Sequence, residues 1–286
     1  MSLSPVDLRA RAEAASGHLP GLILSAERLA AMVAPGAHGL RRAGPGEDFW
    51  QYRPAAQGDT ARSIDWRRSA RSDAQFVRDR EAQTAQSAAI WLSRNPGMDF
   101  AGGPDRPTKA ERGRLLALAV GMLMLRGGEK VALLGQPPRA GRLQAERLAE
   151  GLLAPGDTNP AAALRPQMRV VVLSDFLSDP SWVQALLTQA ASLGTMGVLL
   201  QVLDPDEATF PYDGAVEFRA PAGGMRHDSR DAGGLRDAYL RRLADRQDWV
   251  AAQARQAGWQ FGTHLSDADP VEALGWLWQA LGQGTR

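Results

Sequence analysis

The chain of 286 residues contains no cysteine. That excludes disulfides, iron–sulfur ligation and thiol nucleophiles, and it fits a reducing cytoplasm. Histidine is scarce. His18, His38, His227 and His264 are scattered, and none shows the spacing of a zinc site. An excess of one charge is lacking too: 33 basic and 32 acidic residues leave a formal net charge of +1. No overall field therefore draws the chain to nucleic acid or to an anionic membrane. No run reaches the roughly 18 uncharged apolar residues of a membrane span. The best candidate, residues 115–125, is eleven residues long and reads as a buried helix. Residues 1–20 carry Asp7, Arg9, Arg11 and Glu13 with no apolar core, so no signal peptide is read there. No G-x-S-x-G elbow surrounds Ser69, Ser93 or Ser174, and glycine-rich 36–46 lacks a P-loop pattern. The chain is not itself a P-loop ATPase on this reading, and no cofactor is implied.

What is present is enough apolar material, 44% of residues, for one large domain and a small module. Residues 1–35 read as an N-terminal helical arm, with Leu22, Ile23, Leu24, Leu29 and Met32 on its packing side and Ser25 as a cap. Residues 36–46 read as a loop. Residues 36–84 together form a module with short strands near 48–53 and 74–80. From 85 to 286 short apolar runs alternate with helical periodicity. Strands are expected at 87–92, 130–134, 167–173, 198–203 and 260–265, with a further strand or hairpin at 212–218 before Gly223-Gly224. Helices are expected from Thr108, whose spacing to Glu111 is that of a capping box, and over 142–153, 181–193, 231–257 and from Pro270 through Leu281. This alternation predicts an α/β fold, a mainly parallel sheet with helices on both faces. Trp276 and Trp278 cannot share one helix face, so one is expected in the core and the other exposed or covered by the N-terminal module. Residues 236–248 read as a solvated, charge-laced helix face.

Residues 47–81 are the densest stretch, EDFWQYRPAAQGDTARSIDWRRSARSDAQFVRDRE. Aromatic residues alternate there with Arg and Asp. Asp59 with Arg62, and Asp65 with Arg67, Arg68 or Arg71, are spaced for ion pairs in a scaffold network, since Arg pairs two ways with a carboxylate and stacks on rings. The stretch resembles the signature of the bacterial family called domain of unknown function 58 (DUF 58). The matching residues are Gly58-Asp59, Arg62, Ile64-Asp65-Trp66, Ser69-Ala70-Arg71, Val77-Arg78 and Glu81. Weaker similarity extends over about 35–283. The resemblance implies a Rossmann-like von Willebrand factor A-type (vWA) domain behind the signature module. It also implies an association with MoxR-type AAA+ ATPases. Relatives with membrane helices before the signature are expected, and this chain reads as a soluble branch.

A vWA metal-ion-dependent adhesion site carries Asp-x-Ser-x-Ser after its first strand. The aligned residues here are Ser93, Asn95 and Gly97, while Thr158 and Asp175 resemble the threonine and the distal acidic ligand. A magnesium ion needs hard oxygen ligands with compensating charge. The degenerate set predicts a vestigial site, holding water or an Arg such as Arg94, with Asp175 capping the helix near Pro180 or pairing with an Arg. Asp179 is a second N-cap candidate. The functional expectation is a non-enzymatic adaptor acting with a MoxR-type ATPase in protein maturation or complex assembly, with a client protein as a further partner. The alternatives are a hydrolase with an unusual site near Asp175 and His264, and a nucleic-acid binder using Arg-rich 62–80.

Overall fold

Runs such as Val170-Val171-Val172-Leu173 and Val198-Leu199-Leu200 are continuously apolar because both faces of their sheet are covered. The computed structural model describes residues 20–33, 41–43, 49–55, 64–70, 76–83, 87–141, 143–156, 158–219 and 226–283. They fall into two units, and the smaller lies within residues 38–86.

The larger unit begins with helix α1 (20–32). Its sheet contains β4 (Ser87–Leu92), β5 (Lys130–Leu133), β6 (Met168–Ser174), β7 (Met196–Leu203) and β10 (Gln260–Leu265). They lie in the order β10-β7-β6-β4-β5 and every neighbouring pair is parallel. This is an α/β fold with a parallel central sheet. In sequence order the strands run 2-1-3-4-5, which puts the switch point between β4 and β6, where open α/β sheets bind ligands at the carboxyl ends of their strands. At the β5 edge, Arg139 exchanges two backbone hydrogen bonds with Val131, at 2.9 and 3.1 Å. That bridge leaves less of the edge open to pairing with another chain.

Alternation along the strands sorts side chains between two cores. Ala88, Ile90, Leu92, Val171, Leu173, Val198 and Leu200 face α3 (Lys109–Arg126), α4 (Leu143–Leu153), α9 (Pro270–Gln283) and Ala26, Leu29 and Ala30 of α1. Ala89, Trp91, Val170, Val172 and Leu199 face α5 (Pro160–Ala163), α6 (Ser181–Leu193) and α8 (Arg236–Gln256). On α1, Leu29 is buried as expected, whereas Leu24 and Met32 are exposed and small Ala26 and Ala30 make the close contact instead. Trp278 is buried, and Trp276 is half-buried against Gly262 of β10, where only a residue without a side chain leaves room for the indole. Neither tryptophan is exposed. Three short elements went unread in the sequence: the 3₁₀ turn Pro96–Asp99, α5, and α7 (Pro205–Thr209). The hairpin read near 212–218 consists of β8 (Val216–Arg219) and β9 (Arg226–Ser229), paired antiparallel.

The smaller unit is a three-stranded antiparallel sheet, β1 (Arg41–Ala43), β3 (Phe76–Gln83) and β2 (Phe49–Pro54), with β3 central. The short helix α2 (Trp66–Ser69) precedes β3. Residues 41–43 look like loop in the sequence because glycines flank them. They pair with Glu81, Ala82 and Gln83 of β3, a long-range partner that local composition does not reveal.

Candidate functional site

At the carboxyl end of the sheet a fully buried lysine stands between two acids. Lys109 is the first residue of α3. The Glu111 backbone N–H donates to Thr108 Oγ1 at 3.0 Å and the Thr108 N–H donates to Glu111 Oε2 at 2.8 Å, so the expected capping box is present. A cation at a helix amino end is opposed by the macrodipole, and burial adds a desolvation penalty. Two carboxylates offset both. Lys109 Nζ donates to Asp175 Oδ2 at 3.0 Å and to Glu207 Oε1 at 2.6 Å. Its ammonium also lies 5.9 Å from the centre of the Phe100 ring.

Each acid is held by its own loop. Asp175 follows β6 and is 2% exposed. Its Oδ1 accepts from the Leu177 N–H at 3.2 Å, and its carbonyl accepts from Gln201 Nε2 at 2.7 Å. Gln247 of α8 in turn donates to Gln201 Oε1 at 2.9 Å. Glu207 sits in α7, which Asp204 caps and Pro205 opens. Glu207 Oε2 accepts from the Asp204 N–H at 3.0 Å, so one oxygen closes the helix cap while the other meets Lys109. Burial pushes the Glu207 carboxyl above its usual range, against the opposing pull of Lys109. Burial, with Glu207 and Tyr212 nearby, also raises Tyr239 and keeps its phenol protonated.

A second pair adjoins the first. Arg106 donates to Asp204 Oδ1 at 3.1 Å and to Asp206 Oδ1 at 3.0 Å, and the Gly102 N–H donates to Asp204 Oδ2 at 3.0 Å. Lys109 and Arg106 thus face the four carboxylates of Asp175, Glu207, Asp204 and Asp206. Long arginines on α8 fasten the same edge. Arg236 donates to the carbonyls of Phe210 and Tyr212, and Arg246 to the carbonyl of Ser178. The face read as merely solvated therefore also ties α8 to the loops after β6 and β7.

The structure brings some expected residues together and separates others. Asn95 Oδ1 accepts from the Gly97 N–H at 3.0 Å, and Ser93 Oγ accepts from the Asn95 N–H at 3.2 Å. A Cβ on Gly97 would stand 2.9 Å from Asp175 Oδ2. Ser93, Asn95, Gly97 and Asp175 therefore meet at the switch point. Thr158 is turned to another place: its carbonyl accepts from Trp91 Nε1 at 3.0 Å, and its methyl stands against Gly135 at a cavity of about 300 Å³. Arg94 does not reach Asp175. Its Nη2 donates to the Gly151 carbonyl at 2.8 Å. The partner of Asp175 is Lys109, the first residue of α3. Asp179 Oδ1 accepts from the Ser181 N–H at 2.7 Å just ahead of α6, whose N-cap position is held by Pro180 without a side-chain cap bond.

These residues do not fit a divalent ion. The hydroxyl of Ser93 and the amide oxygen of Asn95 are turned into local backbone turns, Gly97 offers no ligand atom, and Asp175 is bonded to an ammonium. Among the described residues no group of three or more His, Asp or Glu is arranged to hold a metal.

His264 is the penultimate residue of β10 and is buried, with no hydrogen-bond partner at Nε2. Burial first, and then Arg112, depress its pKa from 6.5 to about 4. The native state thus favours the neutral ring, and the unfolded chain takes up a proton first as pH falls. Stability that is complete above pH 6.5 should decline by about 3 kcal/mol as pH drops toward 4. Urea midpoints at pH 7 and pH 4.5 check this, and His264→Asn should flatten the difference relative to the parent.

In the smaller unit, Ser69 Oγ donates to the Asp65 carbonyl at 2.8 Å and accepts from the Phe76 N–H at 2.9 Å. The Asp65 N–H donates to the Phe76 carbonyl at 2.8 Å. Asp65 is half-buried, and Trp66 is 57% exposed. Gly58, Asp59, Arg62 and Arg71 lie outside the described residues, and of Arg78 and Glu81 only the backbone, in β3, is described.

The sequence matches the family described as protein of unknown function DUF58 over residues 51–248, which spans both units. The chain belongs to the DUF58 family. Uncharacterized proteins of Mycobacterium bovis and Mycobacterium tuberculosis are 29% identical to it over 237 residues, covering 75% of this chain and 73% of theirs. Two solved structures overlap it more loosely, each covering 70% of this chain and all of their own. A conserved hypothetical protein BatB from Bacteroides thetaiotaomicron gives a TM-score of 0.42 at 14% identity. An aerotolerance-related membrane protein from Bacteroides fragilis gives 0.41 at 17%. No helix among the described residues of this DUF58 chain is long and apolar enough to cross a membrane.

Sequence reasoning missed Lys109, Glu207, Arg106, Asp204 and Asp206. One signal was available. Asp204-Pro205-Asp206-Glu207 directly follows an apolar strand and has the D-x-x-E spacing of a capping box.

Proposed function

We propose that this DUF58 protein is a non-enzymatic interaction module, a vWA-like adaptor that works in the cytoplasm with a MoxR-type AAA+ ATPase in protein maturation or complex assembly. The observation that carries the reading is the state of the switch-point site. Lys109 gives two hydrogen bonds to carboxylates, and Asp175 is committed to Lys109 and to a backbone N–H. Groups held in this way make a scaffold rather than a poised nucleophile and base, which would need a shared reacting atom within hydrogen-bond reach. The hydrolase reading requires Asp175 to serve His264, but Asp175 already has its partner. Support for the vWA-type assignment lies in the parallel α/β sheet and in the convergence of Ser93, Asn95, Gly97 and Asp175 at one point. The ATPase partner follows from family resemblance, which is associational. The division into an N-terminal arm (1–35), a signature module (36–84) and a vWA-like domain (85–286) belongs to the same reading.

The partner-binding surface on this reading is the carboxyl edge, with loops 93–105, 156–160 and 174–180. Asp99, Asp105 and Leu177 are exposed there. The triple variant Asp99→Lys, Asp105→Lys, Leu177→Glu should lose co-purification with a MoxR-type ATPase from the same cell while keeping the parent's circular dichroism and thermal midpoint. Binding that survives the triple variant moves the interface off this edge. Failure of the unaltered chain to bind any such ATPase, with or without ATP, removes the partner from the account.

A further inference from the structure

Carboxylates gathered in one buried place repel one another unless a cation lies between them. In this chain the cation is covalently attached. Lys109 Nζ sits 3.0 Å from Asp175 Oδ2 and 2.6 Å from Glu207 Oε1, and the lysine side chain is 0% exposed. It links three segments that are far apart in sequence: the start of α3, the turn after β6 and α7. The backbone around it is shaped to the same contact. Gly97 lets the first loop close on Asp175, since a Cβ there would come within 2.9 Å of Oδ2. Gly102 closes on Asp204 and Asp206, where a Cβ would come within 2.6 and 2.3 Å of their carboxylate oxygens.

We infer that Lys109 is a built-in substitute for an exchangeable divalent cation, locking the carboxyl-edge loops in one arrangement that is independent of metal concentration. An ammonium has three donors and no requirement for octahedral oxygen ligands. Two of its donors are accounted for by Asp175 and Glu207, and the Phe100 ring flanks it. It cannot dissociate, so the edge has no ion-free state. A corollary concerns the carboxylates themselves. With the lysine removed, Asp175 and Glu207 lose their shared cation, while Asp204 and Asp206 keep Arg106. That pair of hard oxygen ligands suits a small divalent ion whose shell water completes, provided there is space for it. Truncation at Lys109 creates the space, whereas an apolar side chain of equal length fills it. The inference goes beyond the proposed adaptor role and does not depend on it, because its readout needs no partner.

The test uses the full chain and Mn²⁺ as the probe. Lys109→Ala should melt below the parent, and saturating Mn²⁺ should raise its Tm by about 5 °C. The parent, Lys109→Met and the double variant Lys109→Ala, Asp175→Asn should not respond. If Lys109→Ala does not fold without ion, refolding yield with and without Mn²⁺ replaces Tm: recovery only with the ion supports the inference, and failure in both overturns it. A Tm gain of equal size in Lys109→Met, or a gain in the parent, also overturns it.

Discussion

Lys109→Met should lower the urea midpoint of the larger unit by an amount equivalent to about 3–5 kcal/mol. The substitution keeps the length and apolar stem of the side chain, so packing loss is small. What it removes is the partner of Asp175, which is 2% exposed. A buried carboxylate left without its ion pair carries the full penalty of desolvation. The cost should therefore shrink when the acids are neutralised as well. The triple variant Lys109→Met, Asp175→Asn, Glu207→Gln should recover a large part of it. Glu207→Gln alone should cost less, about 1–2 kcal/mol, because its single amide oxygen can accept from Lys109 or from the Asp204 N–H but not from both, while burial already disfavours the charged carboxylate. Its sign with pH is also set. The raised pKa means that the native state holds this proton more tightly than the unfolded chain. Stability should thus fall as pH rises from the ordinary carboxylate range through the native value, and Glu207→Gln should remove that contribution.

The second large effect concerns glycine. Gly102→Ala should destabilise by about 1–3 kcal/mol, since the new methyl meets two carboxylates already fixed by Arg106 and by the α7 cap. Gly97→Ser should lie at the lower end of that range. It would return a hydroxyl to the position where the resembled adhesion-site loop has one, yet its Cβ would press on Asp175 Oδ2 at 2.9 Å. Gly97→Ala should behave in the same way, which would attribute the effect to space rather than to the hydroxyl. Thermal midpoints of the three variants at neutral pH check the order.

Much of the fold was legible because its signals are periodic and local. Continuous Val and Leu runs mark strands covered on both faces, and Thr108 with Glu111 marks the start of α3 to the residue. The convergence of Ser93, Asn95, Gly97 and Asp175 follows from β4 and β6 being parallel neighbours, which places the loops after them side by side. Lys109 was not legible. One lysine at a helix start reads as solvated, and only the placement of α3 against β6 and α7 shows that it is buried. The same holds for Arg236 and Arg246, whose carbonyl partners lie 26 and 68 residues away in sequence. Thr158 matched the motif by residue type, but its backbone is bound by Trp91 and its side chain is turned to Gly135. Strand β1 was hidden because its pairing with β3 spans about forty residues, a contact that composition does not encode.

The most direct measurement is a calorimetric titration of the unaltered chain with Mn²⁺, repeated with Mg²⁺. If Lys109 supplies the cation at the switch point, neither ion should give a saturable heat, and chelators should leave the Tm unchanged. A micromolar Kd that disappears in Asp175→Ala would contradict this, because it would mean that an exchangeable ion, and not the lysine, occupies the site.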